Sequence, residues 1–265
     1  MKTFEFGFIG CGNMGGALVQ AVANAIGGDK IAVCDYCKEK AARFTSLGAT
    51  VLTASELASA CKFIVRGVKP QNMQETLVSL RGAIAENKNA CMITMAAGIS
   101  TAAIREFLSL DLPVIRIMPN TPAQLGEGMI LYTLLGVSAD EEQAFLTAFA
   151  KAGVLDKIDE NKIDAASALS GCGPAFVYAF AEALADGAVE CGVPREKAAT
   201  YAAQTLKGAA EMLLKFGHPA DLKDAVCSPG GTTIAGVHAL ENAGFRGAVM
   251  DAVTAAYEKT LALKK

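Results

Sequence analysis

The spacing of hydrophobic and polar residues changes once along this chain, near residue 156. Before that point, short apolar runs alternate with segments whose apolar residues recur at the spacing of one helix face. Such alternation of strands and helices is typical of a mostly parallel sheet covered by helices on both faces. The predicted strands are residues 4–9, 31–34, 62–65, 90–94, 114–118 and 128–134.

Beyond about residue 156 the sequence shows no strand pattern, and proline and glycine mark the limits of long helices. Pro174 can start a helix that ends before Gly192, and Pro194 can start another that stops at Gly217. This follows because proline suits the first turn of a helix and glycine suits its end. We therefore predict an α/β domain over residues 1–156 and an all-helical domain over residues 157–265.

The helix predicted after Pro194 carries a stripe of small apolar residues at helical spacing. Small side chains allow two helix axes to approach closely. The stripe fits an ordinary core within one chain, and it fits equally well a helix bundle formed between subunits. Its members are Ala198, Ala199, Ala202, Ala203, Leu206, Ala209, Ala210 and Leu213.

Composition narrows the class of protein further. Hydrophobic residues make up 52% of the chain and the net charge is −3, so no basic field is present to recruit nucleic acid or anionic lipid. No stretch has the roughly 18 uninterrupted apolar residues of a membrane span. Of the eight cysteines only Cys34 and Cys37 are close, and the chain has two histidines. We therefore predict no metal site and a cytoplasmic protein with reduced thiols.

A glycine motif, Gly10-x-Gly12-x-x-Gly15, follows the first predicted strand and opens the first predicted helix. The first glycine permits a tight turn, the second lets a pyrophosphate approach the backbone, and the third lets the helix pack on the strand. The helix N-terminus stabilises the phosphate charge. The motif predicts a Rossmann-type doubly wound domain whose cofactor is held by Gly10, Cys11, Gly12, Asn13, Met14 and Gly15.

Asp35 ends the second predicted strand, about twenty residues after Gly15, where an acidic residue accepts hydrogen bonds from the adenosine ribose. Such a carboxylate favours NAD(H) and repels a 2′-phosphate. Lys38 and Lys40 are near enough in sequence to offset that repulsion, so NADP(H) and NAD(H) both remain open. Loops at the carboxyl ends of later strands line the same crevice. There we predict cofactor contacts at Val68, Lys69, Pro70, Ala96, Ala97, Gly98 and Asn120.

The segment of residues 228–233, Ser-Pro-Gly-Gly-Thr-Thr, is the second candidate binding element. Its glycines expose backbone N–H groups beside a helix start, and such a nest suits an anion. Helix capping by a hydroxyl is the structural alternative, but capping accounts for one hydroxyl and not for the whole group.

Several motifs resemble the pyrroline-5-carboxylate reductase family, in the same order and over nearly the whole chain. They include the Gly-Asn-Met turn of residues 12–14, Val-Lys-Pro-Gln of residues 68–71, and Ala-Ala-Gly of residues 96–98. Met-Pro-Asn-Thr-Pro of residues 118–122 and Ser-Gly-Cys-Gly-Pro-Ala of residues 170–175 follow. The most distinctive is Ser-Pro-Gly-Gly-Thr-Thr-Ile-Ala-Gly, residues 228–236.

The resemblance implies reduction of 1-pyrroline-5-carboxylate to L-proline by hydride transfer from NADP(H), with NAD(H) as the alternative cofactor. It also implies that the helical domain binds substrate and forms a homodimer or a dimer-based assembly. We expect the substrate carboxylate at Gly230, Gly231 and Thr232, with Ser228 as a donor, and the Thr233 hydroxyl at the imine nitrogen. This chain departs from the family pattern at Asp35, Arg66-Gly67 and Cys172, and the first two bear on cofactor choice.

Two other classes of protein share part of this pattern. A β-hydroxyacid dehydrogenase has the same two-domain layout, but it places a catalytic lysine on the helix after its glycine-rich interdomain segment. The helix predicted over residues 174–190 contains no lysine. A dinucleotide-binding sensor without catalytic activity would explain residues 10–15 but would leave residues 228–233 without a role.

Overall fold

The computed structural model describes residues 2–67 and 73–263; Val68, Lys69 and Pro70, three of the predicted cofactor contacts, lie outside the described residues. The chain divides into two compact units. The α/β unit comprises residues 1–172 with 256–265, and the helical unit comprises residues 173–255. The domain boundary at residue 156 stays a prediction.

The α/β unit contains an eight-stranded sheet in the order β3-β2-β1-β4-β5-β6-β7-β8. Neighbouring strands run parallel except for β6 and β7, which are antiparallel. The doubly wound fold is therefore confirmed, with one reversed strand pair. The strands are β1 (Phe4–Ile9), β2 (Ile31–Cys34), β3 (Thr50–Val51), β4 (Cys61–Arg66), β5 (Cys91–Thr94), β6 (Val114–Met118), β7 (Gly128–Leu135) and β8 (Gly153–Lys157).

The sequence pattern did not predict two of the strands, β3 and β8, and each lies at an edge of the sheet. β3 has only two residues, and β8 is half exposed along its length, so neither shows the buried apolar run that marks a central strand. Edge strands pair on one side only, and polar residues are common there.

Among the described residues, seven α-helices belong to the first part of the chain. The sequence pattern assigned no helix to the residues of α3 (Ala54–Ala60) or α7 (Glu160–Ser170), although Thr53 and Glu56 form a capping box at the start of α3. That Thr-x-x-Glu spacing is a signal of a helix N-terminus and would have located it. The helices are α1 (Asn13–Ile26), α2 (Lys38–Ala42), α3 (Ala54–Ala60), α4 (Met73–Glu86), α5 (Thr101–Leu108), α6 (Ala139–Phe149) and α7 (Glu160–Ser170).

Two hydrophobic layers hold this unit together, one on each face of the sheet. On the face covered by α1 and α6, the rings of Phe6 and Phe63 stack with centroids 4.6 Å apart, and Phe149 meets Phe6 edge-on. Each fully buried phenylalanine contributes about 1.5–3 kcal/mol to folding. This core fixes the carboxyl ends of β1, β2 and β4 relative to one another.

The helical unit has a much smaller core. Only Ala185, Ala198 and Ala202 are buried in it, where α8 packs on α9. Its elements are α8 (Gly173–Glu190), α9 (Arg195–Phe216), α10 (Pro219–Ala225), α11 (Thr232–Asn242) and α12 (Phe245–Ala262), the last of which continues into the α/β unit.

The predicted alanine stripe of α9 is covered only in part. Ala198 and Ala202, in its first half, pack against α8, whereas Ala203, Ala209 and Ala210 are exposed in this chain. The stripe therefore serves the chain's own core at one end and leaves an apolar surface at the other.

Among the described residues, one helical stretch, Glu160–Glu190, is long and apolar enough to cross a membrane by length and composition. A core helix of a soluble protein passes the same test. Asp164 in this stretch forms an ion pair with Arg116 of the sheet, so its first part is committed to the α/β unit.

Candidate functional site

The glycine motif lies at the point where the strand order reverses, between β1 and β4. Gly10 has φ +104°, a conformation that favours glycine. A Cβ on Gly15 would lie 2.0 Å from the Gly10 carbonyl oxygen, and a Cβ on Gly10 would lie 2.7 Å from the Gly67 oxygen. The turn, α1 and the end of β4 thus approach one another at distances that only glycine permits.

The N-terminus of α1 is open toward this crevice. Gly12 is the N-cap, no side chain caps the helix, and its first turn contains no acidic residue. A Cβ placed on Gly12 would meet nothing within 4 Å, so there is space above the turn. The first-turn amides, which include those of Asn13 and Met14, are therefore available to an anion.

Asp35 lies directly beyond β2, and its carboxylate is fixed by two backbone donors. The Cys11 N–H donates to Oδ2 at 2.6 Å and the Cys37 N–H donates to Oδ1 at 2.9 Å. Asp35 is thereby tied to the glycine turn, in the position where a Rossmann acid meets the adenosine ribose.

Arg43 is a neighbour of the turn that the sequence pattern did not identify. Its Nη2 donates to the Cys11 carbonyl oxygen at 3.0 Å, and its guanidinium lies over the Phe44 ring. A Cβ on Gly16 would lie 2.0 Å from Arg43 Nη2, so a second glycine of α1 makes room for this side chain. Nothing local in the sequence links residues 32 positions apart.

The predicted loop after β5 turns at Gly98, which has φ +75°. Ala96 is buried, and its N–H lies 3.4 Å from the Thr94 hydroxyl. The Ser100 hydroxyl accepts from the Ala103 N–H at 3.1 Å, so Ser100 is the N-cap of α5. The loop thus leaves the carboxyl end of β5. The strand next to β5 is β4, which also pairs with β1, the strand that leads into the glycine turn.

Next to this loop, Arg116 of β6 is buried between two carboxylates of α7. Its Nη2 pairs with Asp164, and its Nη1 lies 3.7 Å from Glu160. Glu160 in turn accepts from the Thr101 N–H at 2.7 Å and from the Thr101 hydroxyl at 2.8 Å. This network fastens the first turn of α7 to β6 and to the start of α5.

Asn120 is buried, and both ends of its side-chain amide have partners. Nδ2 donates to the Ser170 carbonyl oxygen at 2.9 Å, and Oδ1 accepts from the Met129 N–H at 2.9 Å. The amide therefore clamps the end of α7 to the start of β7. Its contact with the nicotinamide stays a prediction, and in this structure its side chain acts as a positioning group.

In the helical unit, the Ser228–Thr233 segment forms a tight turn followed by α11. Gly230 has φ +67°, and a Cβ on Gly231 would lie 2.6 Å from the Ser228 hydroxyl oxygen, so both positions require glycine. The Gly231 N–H donates to the Ser228 carbonyl oxygen at 3.0 Å. No side chain caps α11, so its free first-turn amides begin at Thr232.

The hydroxyls of Ser228, Thr232 and Thr233 are exposed at this helix start. Asp186 of α8 forms an ion pair with Arg195 at the start of α9.

Three thiols of the α/β unit are buried and unreactive in character. Burial, with the nearby Asp35 charge, raises the pKa of the Cys11 thiol to about 12, and burial alone raises that of Cys61 to about 12. Burial also raises the pKa of Cys91. Among the described residues, no group of His, Cys, Asp and Glu side chains is arranged to hold a metal ion.

Comparisons with known proteins assign both parts of the chain. Residues 160–263 match the family described as pyrroline-5-carboxylate reductase dimerisation, and residues 5–98 match the family described as NADP oxidoreductase, coenzyme F420-dependent. A pyrroline-5-carboxylate reductase of Arabidopsis thaliana is 39% identical, covering 100% of this chain and 97% of the relative. One from Escherichia coli (strain K12) is 38% identical, covering 98% of each.

A solved structure agrees with these relatives. The crystal structure of Plasmodium falciparum pyrroline carboxylate reductase with NADP bound has a TM-score of 0.89 and 32% identity, with 100% of each chain covered. The likeness therefore extends over both the glycine turn at the switch point and the turn that opens α11. On these grounds the chain belongs to the pyrroline-5-carboxylate reductase family.

Proposed function

We infer that this protein is an NAD(P)H-dependent oxidoreductase that reduces 1-pyrroline-5-carboxylate to L-proline, the final step of proline biosynthesis. The observation that carries this is the full-length match to pyrroline-5-carboxylate reductases, joined to an open helix N-terminus in each unit. The N-terminus of α1 suits a pyrophosphate, and the N-terminus of α11 suits a carboxylate. NADP(H) is the cofactor, with NAD(H) as the alternative.

The residues at the glycine turn fit a dinucleotide. Gly10 and Gly15 bring the backbone close, the space above Gly12 is open, and the α1 amides have no side-chain cap. When bound there, the reduced nicotinamide supplies the hydride. In this proposal residues 10–15 hold the pyrophosphate and Asp35 accepts from the adenosine ribose, while residues 96–98 line the crevice toward the nicotinamide.

The imine acid is proposed to bind at the start of α11. Its carboxylate would accept from the amides of Thr232 and the next residues and from the Ser228 hydroxyl. Gly230 and Gly231 shape the turn that exposes these donors. Because the Gly231 N–H already donates to Ser228, we assign it to holding the turn rather than the carboxylate.

Proton handling is proposed for Thr233. As the imine carbon takes a hydride, the imine nitrogen carries the proton that completes the amine, and a hydroxyl beside that nitrogen can orient or relay the proton. Since the substrate nitrogen can arrive already protonated, no strong general acid is required. Position and electrostatics are then what the protein contributes.

The protein is a homo-oligomer that acts on a small molecule. We propose that the helical unit forms a dimer, alone or within a larger assembly, and that the site is shared between subunits. Support comes from the dimerisation family match over residues 160–263 and from the apolar residues that this unit leaves exposed. Within one chain, the buried core of this unit consists of Ala185, Ala198 and Ala202, which is small for five helices.

The protein is soluble, and we propose that it resides in the cytoplasm without a membrane or nucleic-acid partner. The α8 part of the apolar stretch Glu160–Glu190 then belongs to the subunit interface rather than to a bilayer. The net charge of −3 and the unpaired thiols accord with that location.

A direct test measures loss of reduced-nicotinamide absorbance with 1-pyrroline-5-carboxylate, using NADPH and NADH in parallel. A β-hydroxyacid with NADP⁺ or NAD⁺ is the control for the rival dehydrogenase. We expect turnover with the imine acid only. Turnover of the hydroxyacid, or nucleotide binding without turnover of either compound, would replace this proposal by one of the two rivals.

A further inference from the structure

Arg66, the last residue of β4, is a buried cation that pairs with no anion of the described residues. The residue is 1% exposed, and within the part of the chain that the structure describes its Nε and Nη2 atoms have no hydrogen-bond partner. No carboxylate forms an ion pair with it among residues 2–67 and 73–263. Residues 68–72, Val-Lys-Pro-Gln-Asn, contain no acidic side chain either. Burying an unpaired guanidinium costs free energy, so such residues are rarely retained without a partner.

The other fully buried arginine shows what compensation looks like in the same sheet. Arg116 is as deeply buried as Arg66, but two carboxylates, those of Asp164 and Glu160, neutralise its charge. Arg66 has no counterpart to either. The difference places an uncompensated positive charge at one end of the sheet.

Register fixes where that charge lies. Ile9 of β1 pairs with Cys34 of β2 on one side and with Arg66 of β4 on the other, so these residues form the last row of the three strands. Burial and the Asp35 charge raise the pKa of the Cys34 thiol, and the Arg66 charge lowers it, so the Cys34 and Arg66 side chains lie near each other across Ile9. Gly67 follows at once, and its N–H donates to the Ile9 carbonyl oxygen at 3.0 Å. Arg66 therefore lies beneath the switch point, next to the glycine turn.

We propose that Arg66 attracts the phosphates of the bound dinucleotide, as a buried positive charge at the carboxyl end of β4 beside the glycine turn. This inference rests on the proposed NAD(P)H-dependent function. A charge in a low-dielectric interior acts over several ångströms without direct contact. The groups that would respond to this charge are the pyrophosphate, and the 2′-phosphate where the cofactor is NADPH.

The charge balance of the turn supports this assignment. Asp35 directly follows Cys34, which lies in the same row of the sheet as Arg66. Its carboxylate oxygens accept from the Cys11 and Cys37 amides and not from Arg66. The Asp35 carboxylate can thus accept hydrogen bonds from the ribose, while the positive charge of Arg66 offsets the repulsion between Asp35 and a phosphate. Burial lowers the pKa of Arg66 to about 10, while Cys34 raises it, and the side chain remains cationic at neutral pH.

The test compares Arg66→Met, which removes the charge at similar length, with Arg66→Lys, which retains it. Dissociation constants for NADPH, NADH and phosphate-free adenosine are measured by calorimetry at low salt. The unfolding temperature of each ligand-free variant is recorded as well. For Arg66→Met we expect about ten- to thirtyfold weaker binding of the dinucleotides, the scale of a unit charge acting about 8–10 Å away. Adenosine binding should stay unchanged, and Arg66→Lys should stay within about threefold of wild type.

Comparison of NADPH with NADH distinguishes the 2′-phosphate from the pyrophosphate. A loss confined to NADPH assigns the attraction to the 2′-phosphate, and an equal loss for NADPH and NADH assigns it to the pyrophosphate. Ligand-free Arg66→Met should unfold at the same or a higher temperature, because an unpaired buried charge is gone. Unchanged dinucleotide affinity, an equal loss for adenosine, or an equal loss in Arg66→Lys would overturn the inference while leaving turnover by wild type intact. Failure of wild type to bind any dinucleotide would overturn the proposed function as well.

Discussion

In the α/β unit, Phe6 and Phe63 are completely buried, whereas in the helical unit Leu214 is 85% exposed and Met250 is 70% exposed. Both units are rich in apolar residues, but only the first covers them with its own chain. Its strands receive helices on both faces, so each apolar row finds a partner nearby. The helices of the second unit leave most of their apolar side chains uncovered.

This difference separates the two proposed binding elements, one in each unit. The nucleotide turn is held by a core that one chain completes, and its close glycine contacts are fixed within that core. The turn that opens α11 is carried by helices whose order depends on a second subunit, if the proposed dimer is right. Changes in the helical unit should therefore affect assembly and the imine acid together, and changes in the α/β unit should affect stability and the nucleotide.

The largest expected effect is at the turn that opens α11, the proposed substrate-binding element. Thr233→Ala should lower kcat/KM for 1-pyrroline-5-carboxylate by about ten- to ten-thousandfold, the range of one proton-handling or oriented donor group. Thr233→Ser, which keeps the hydroxyl, should recover most of it. Thr254→Ala on α12, where the hydroxyl only bonds back to its own helix, is the matched control. A normal kcat/KM in Thr233→Ala would remove this residue from the mechanism.

Assembly should be the next most sensitive property. Met250→Glu places a carboxylate on an apolar face, and burying it unpaired in a subunit interface would weaken association by about 3–5 kcal/mol, roughly a hundred- to a thousandfold or more. Sedimentation velocity over a dilution series measures the change. Val78→Glu is the control, since Val78 is a half-exposed apolar residue of α4 in the α/β unit. Equal behaviour of the two variants would show that the exposed face of α12 is not an interface.

The smallest effect concerns alkaline stability. The folded-state pKa of Cys61 is raised to about 12 by burial, so its stabilising contribution is present below the ordinary thiol pKa and is lost as pH rises toward 12. Between about pH 9.5 and 11, Cys61→Ala should flatten the dependence of unfolding free energy on pH by up to about 1.4 kcal/mol per pH unit. Urea titrations across this range provide the slope.

The exposed Cys191 of the helical unit is the matched control for that titration. Its thiol meets water in the folded and unfolded states, so Cys191→Ala should leave the slope as in wild type. An identical slope in Cys61→Ala and wild type would mean that the native thiol at residue 61 ionises as readily as an unfolded one.

Local sequence was sufficient for the elements that short-range physics determines. The glycine spacing of residues 10–15 fixed the turn, since only glycine tolerates φ +104° and a neighbour at 2.0 Å. The central strands were evident because strands buried on both faces are continuously apolar. The cap at Ser100 and the helix end at Gly217 follow from groups a few residues apart.

Tertiary structure alone decided which distant residues meet. Arg43 reaches Cys11, Asn120 joins Ser170 to Met129, and Arg116 finds Asp164, all through contacts with no local signature. It also decided that Arg66 meets no anion among the described residues, because pairing depends on every chain segment around a side chain. A pattern along the chain records what a residue prefers, whereas only the folded arrangement determines what is within its reach.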